Sequence, residues 1–91
     1  MKTLVLPLKK KWFLAIREGR KPFEFRLRNQ YWRSRLEGRH YDRVVFTLGY
    51  PRRDDHSRRI EVPYRGYEIQ TVVSEEWANE PKEVFAIPTG P

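Results

Sequence analysis

The chain has 91 residues, with 19 Lys or Arg against 12 Asp or Glu, a formal net charge of +7 and no cysteine. This length builds one small core, so a single domain spanning residues 1–91 is expected. Disulfide and thiolate chemistry are excluded, and no apolar run approaches membrane-spanning length.

The charge is uneven. Residues 1–60 hold 17 Lys or Arg and 6 Asp or Glu, whereas residues 61–91 hold 2 and 6. A pI near 10.1, with arginine outnumbering lysine, favours polyanionic partners, because a planar guanidinium contacts phosphate in bidentate fashion. Tyr31, Trp32, Tyr41 and Tyr50 lie among these cations and supply rings on which bases stack, although Trp32 also has the helical spacing from Leu36 of a core residue. The plain alternative is a solvating surface.

Thr3 to Leu8 reads as a short buried strand with Pro7 at an edge or exit. Lys9 to Lys11 end its apolar stretch before a signal-peptide core is complete, so the segment reads as the first strand of a cytoplasmic protein. Lys9 to Glu18 predicts a helix with Trp12, Phe13 and Ile16 on one face and Gly19 as its stop. The next strand, about Pro22 to Leu27, alternates Phe23, Phe25 and Leu27 with Glu24, Arg26 and Arg28, which makes one side core and the other a polar surface.

Asn29 is a suitable N-cap for a second helix over Gln30 to Glu37, which Gly38 closes. Arg43 to Leu48 is the clearest strand, continuous enough in apolar character to be central. After a loop at Gly49 to Ser57, residues Arg58 to Val73 predict one bent or bulged strand, or a hairpin turning at Arg65-Gly66. A polar connection with Trp77 then leads to a last strand, Glu83 to Pro88. Five or six short strands with two early helices predict an α+β fold, a small mixed barrel with helices on its side.

Gly19 to Arg26 fits G-x-K-x-x-E-x-R and is the best candidate for a built site. Lys21 is either a phosphate clamp or a reactive amine: Arg20 and Arg26 favour a lowered pKa, and Glu24 opposes it. The bland reading is a surface salt-bridge set, worth about 0 to 1 kcal/mol per pair. Arg52, Arg53, Arg58 and Arg59 form a basic loop tempered by Asp54 and Asp55, either a solvated tip or a backbone-contacting arm; Lys9, Lys10 and Lys11 extend the same surface, and Arg33 lies on the second helix. His40 and His56 have no metal-ligand partners in spacing, and no cofactor-binding fingerprint occurs, so neither metal nor cofactor is expected.

Taken together, Leu6-Pro-Leu-Lys-Lys-Lys-Trp-Phe13, Ala15 to Gly19, the G-x-K-x-x-E-x-R block, Tyr31-Trp32, Val45 to Tyr50, Trp77 and Val84 to Ile87 resemble the ASCH domain, in its compact single-domain form from bacteria and phages. The resemblance covers essentially the whole chain and implies a PUA-like β-barrel that binds RNA through a cleft beside the block. It places Gly19, Lys21, Glu24 and Arg26 at that cleft; the residues themselves add Tyr50 as an expected stacking ring and Arg33, Lys10, Lys11, Arg52 and Arg53 as expected RNA contacts.

One branch of the family hydrolyses the amide of acetylcytidine with a lysine, a threonine and a distant glutamate, and another is linked to ribonuclease activity. Lys21 matches the lysine, but Glu24 stands where that branch has threonine; Glu68 is the nearest guess for the distant glutamate. Lys21 and Glu24 are therefore the catalytic candidates. The leading expectation is binding of RNA or a nucleotide, with DNA a further candidate. The alternatives are a hydrolase and a basic protein-interaction module.

Overall fold

The computed structural model describes all residues from Met1 to Pro91. Apolar alternation makes β1 (Thr3–Leu8), whose Leu4, Leu6 and Leu8 are buried while Val5 remains exposed. In α1 (Lys10–Arg17), Phe13, Ala15 and Ile16 are buried. That helix ends in a Schellman motif: the Gly19 amide donates to the Ile16 carbonyl at 3.0 Å and the Arg20 amide to the Ala15 carbonyl at 2.9 Å, with Gly19 at φ +75°. Strand β2 (Phe23–Leu27) follows, then α2 (Gln30–Leu36), capped by the Asn29 side chain accepting from the Trp32 amide at 3.0 Å.

Strand β3 (Arg43–Leu48) is the apolar centre of the first sheet, ordered β1-β3-β4, parallel to β1 and antiparallel to β4 (Arg59–Pro63). The second sheet, β2-β6-β5, is antiparallel throughout, with β5 at Glu68–Val73 and β6 at Pro81–Pro88. Leu4, Leu6, Leu8, Val44, Phe46 and Val62 of one sheet meet Phe85 and Ile87 of the other, with Phe13, Ile16 and Leu36 of the helices closing the same core. The result is an α+β domain of six strands in two sheets, barrel-like, with two helices. No helix is long and apolar enough to cross a membrane.

The structure corrects two expectations. Residues 58–73 are neither one bent strand nor a hairpin, because β4 pairs with β3 and β5 with β6, and Tyr64 to Tyr67 carry the chain from one sheet to the other. Pro63 at the end of β4 and Gly66 at φ +80° mark that crossover, not a bulge. The second correction concerns β2, whose two faces are reversed. Glu24 lies opposite Ile87 and Arg26 opposite Phe85, so the charged side shares a face with the core, and Glu24 is 6% exposed.

The reason lies at the seam between the sheets. Strands β1 and β2 are edge strands, and no backbone ladder joins them. The Arg26 guanidinium instead donates to the Pro7 carbonyl at 2.9 Å, so a side chain closes a gap that backbone amides leave open.

Gly19 holds its positive φ with nothing within 4 Å of where a Cβ would sit. Gly19→Ala therefore pays only the left-handed backbone penalty, about 1 kcal/mol. Urea unfolding should show a lower midpoint with an unchanged m-value; an unchanged midpoint would show that the residue does not hold this conformation.

Candidate functional site

Three charged side chains of the G-x-K-x-x-E-x-R block converge. Glu24 forms ion pairs with both neighbours: its Oε2 is 3.1 Å from Arg26 Nη2 and its Oε1 is 3.7 Å from Lys21 Nζ. All three are largely buried, with Glu24 the most enclosed. The Lys21 ammonium also sits over the rings of Trp12 at 4.8 Å and Phe25 at 4.4 Å, and the Arg26 guanidinium over Trp32 at 5.0 Å. The main chain beneath Lys21 is fixed by buried Thr89, whose hydroxyl donates to the Lys21 carbonyl and whose amide donates to that of Pro22 at 3.0 Å.

This cluster floors an open cleft. One hollow of about 240 Å³ runs from Pro7, Lys9 and Trp12 across Glu24 and Arg26 to Trp32, Glu76 and Trp77. A second, of about 250 Å³, continues from Trp12, Glu24 and Trp77 to Lys21 and Val73. All three tryptophans of the chain line the cleft. Its outer wall is a single 3₁₀ turn, Glu75–Trp77, in which Ser74 Oγ accepts from the Glu76 amide at 3.2 Å. Glu76 Oε1 accepts from the Trp12 indole at 2.7 Å and lies 3.9 Å from Lys9 Nζ, which ties the turn to α1. Ala78 and Asn79 both have φ 56°, and for Ala78, which has no polar side chain to stabilise it, that conformation is strained.

The remaining candidates are scattered. Gly19 lines neither hollow and acts as the stop of α1. Tyr50, 92% exposed, borders an adjoining groove on the far side of Arg26 and Trp32, and Arg53 a hollow beyond that. Arg33 is paired with Glu37 at 3.0 Å on the outer face of α2. Lys10, Lys11 and Arg52 are exposed and border none of these hollows; Lys11 lies over the outer side of Trp12, 4.4 Å from its ring.

Glu68 is exposed on β5, where its carboxylate accepts from Gln70, and it does not reach the cleft; the second acid there is Glu76. Sequence reasoning missed Trp12 as a cleft residue because it shares helical spacing with Phe13 and Ile16. It also missed Glu76 and Trp77 because a one-turn 3₁₀ segment has no periodicity. Their only visible signal was a lone tryptophan in an acidic stretch.

Burial pushes the Glu24 carboxyl above its ordinary value of 4.5, against the downward pull of Arg26 and Lys21 and of the Phe25 amide; Glu76 adds a further upward push. The site thus combines a carboxyl that keeps its proton to higher pH than a surface glutamate does, two cations held against aromatic rings, and an indole-lined hollow. Such an arrangement has the chemistry to hold a planar polar group by its face and its edge.

No family model, curated protein or solved structure matches the chain.

Because folding raises the Glu24 pKa, its protonated form binds more favourably in the folded state. This contribution is fully present below the unfolded value near 4.5 and is lost as pH rises through the folded value. Partly exposed Glu37 and Asp55 shift downward and contribute in the opposite sense, but they cancel when wild type is compared with Glu24→Gln. The stability of wild type relative to Glu24→Gln should fall between pH 4 and neutrality, read from urea midpoints along the pH series. A difference that instead grows with pH would mean that Arg26 and Lys21 outweigh burial.

Proposed function

We propose that the chain is an ASCH-type, PUA-like domain that binds single-stranded RNA or a nucleotide by holding one unpaired base in the tryptophan-lined cleft. The observation that carries this reading is the convergence of Trp12, Trp32 and Trp77 on the buried Glu24–Arg26 pair. Indole faces stack on any base, and each such contact is worth about 1 to 3 kcal/mol. The Glu24 carboxylate suits an exocyclic amino group, as on cytosine or adenine, and the Lys21 ammonium and Arg26 guanidinium suit ring carbonyls. The excess of cations in residues 1–60 adds a long-range attraction for the polyanion.

A second reading, hydrolysis of an acylated nucleoside amide, rests on the upward shift of Glu24 beside the Lys21 ammonium. In that reaction Glu24 takes a proton from water as its oxygen bonds to the acyl carbon. Lys21 steadies the oxyanion, and the carbon–nitrogen bond breaks as Glu24 returns the proton to the leaving amine, yielding free acid and nucleoside.

Titration of a fluorescein-labelled mixed-sequence RNA nonamer should give binding that weakens steeply with salt, since each phosphate contact releases counterions. Trp12→Ala should cost about 1 to 3 kcal/mol of that binding. Undetectable affinity at low salt, or affinity indifferent to Trp12→Ala and Arg26→Met, sinks the binding reading. Incubation with acetylcytidine, followed by mass spectrometry, tests the second: acetate release abolished by Glu24→Gln supports it, and no release removes it.

A further inference from the structure

Arg26 and Trp32 separate two environments of opposite character. On one side is the cleft, whose ionisable lining includes the acids Glu24 and Glu76 as well as Lys9 and Lys21. On the other is a groove of about 490 Å³ between α2 and the end of β3, bordered by Arg26, Arg35, Arg59, Tyr31 and Tyr50 and by no acid. Val5 and Arg59 lead from it into a third hollow, about 680 Å³, over the outer face of the β1-β3-β4 sheet, where Arg43, Arg53 and His56 are added and Glu61 is the one acid. The three spaces are contiguous, because the first pair shares Pro7, Arg26 and Trp32 and the second pair shares Val5 and Arg59.

Arg35, Arg53 and Arg59 of this track differ from other arginines of the chain in having no carboxylate partner. Arg28, Arg33, Arg43 and Arg58 are committed to carboxylates. Arg35 instead lies over the rings of Tyr31 at 5.0 Å and Trp32 at 6.0 Å, and Arg59 donates only to the Pro51 and Arg52 carbonyls, leaving its buried Nε without a partner. Arg53, exposed on the loop above, makes no ion pair. Such cations keep their capacity for phosphate oxygens, whereas the two acids of the cleft repel a phosphate and favour a base edge.

We infer that the protein takes a strand, not an isolated nucleoside: one base enters the cleft at Glu24 and Arg26, and the adjoining sugar-phosphate backbone of single-stranded RNA runs past Trp32 along the Arg35–Arg59–Arg53 track. Exposed Tyr31 and Tyr50 beside that track give the next bases faces to stack on. This inference rests on the proposed base-binding cleft and assigns the path of its ligand.

The test compares the four nucleoside 5′-monophosphates, a mixed-sequence RNA trinucleotide and nonanucleotide, and a duplex of similar length. Tryptophan fluorescence reports the cleft, and anisotropy reports the labelled strands. Affinity should rise on the order of tenfold or more from monophosphate to nonanucleotide, with a steeper salt dependence for the longer strand. Arg35→Ala and Arg53→Ala, both at exposed side chains, should weaken the nonanucleotide severalfold while leaving the monophosphates unchanged; Arg59→Gln should do the same.

Monophosphates that bind in a Trp12-dependent manner with no gain on lengthening would overturn the track and leave the cleft reading intact. A nonanucleotide indifferent to all three arginine substitutions, or a duplex that binds as tightly as the single strand, also overturns it. If neither monophosphates nor strands change the tryptophan signal, the cleft reading itself fails.

Discussion

The ion pair between Glu24 and Arg26 is the interaction on which the site depends. It lies on the inward face of an edge strand, opposite Ile87 and Phe85, where hydrocarbon would be the simpler filling. Burying two charges costs several kcal/mol of hydration for each ion, and the attraction between them roughly offsets that cost only in good geometry. The pair is therefore a poor device for stability alone. It supplies direction: Arg26 is held at once by Glu24, by the Pro7 carbonyl and by the Trp32 face, so its donors are fixed at the seam between β1 and β2, which no ladder joins. A hydrophobic plug would close the seam and abolish the recess.

From that fixed point the charge distribution acquires a shape. The cation-rich first two thirds of the chain supply both the lysines of the cleft and the arginines of the groove beyond Trp32, while the acid-rich remainder contributes Glu76 across the cleft from Glu24. A net charge alone would predict only diffuse attraction for polyanions. Folding sorts it into a mixed, aromatic hollow next to an arginine-lined one, two surfaces of different chemistry in a single small domain.

Much of the fold was legible because its elements obey local rules. Asn29 and Gly19 bracket the helices by capping chemistry that needs no tertiary context, and β3 is apolar enough to announce a central strand. The errors arose where tertiary structure overrides local pattern. The period of β2 was correct, but its polarity was not, since nothing in Phe-Glu-Phe-Arg-Leu tells that its charges will be needed at an unpaired seam. The separation of β4 from β5 depends on which sheet each edge joins, a long-range choice that Pro63 and Gly66 punctuate without deciding.

The site was legible in proportion to its sequence locality. Lys21, Glu24 and Arg26 span one turn and one strand, so their spacing alone brings them together, and Gly19 contributes by stopping α1 at the right place. Trp77 and Glu76 arrive from the far end of the chain on a 3₁₀ turn followed by two left-handed residues. The cleft thus has one wall of regular structure, pinned by Thr89 and Pro7, and one wall held by the indole–carboxylate hydrogen bond from Trp12 to Glu76 and a strained turn. A wall held by few buried contacts is the one that opens at least cost. Any adjustment of the cleft's width therefore falls to Trp77 and Glu76, while Glu24 and Arg26 keep their aim.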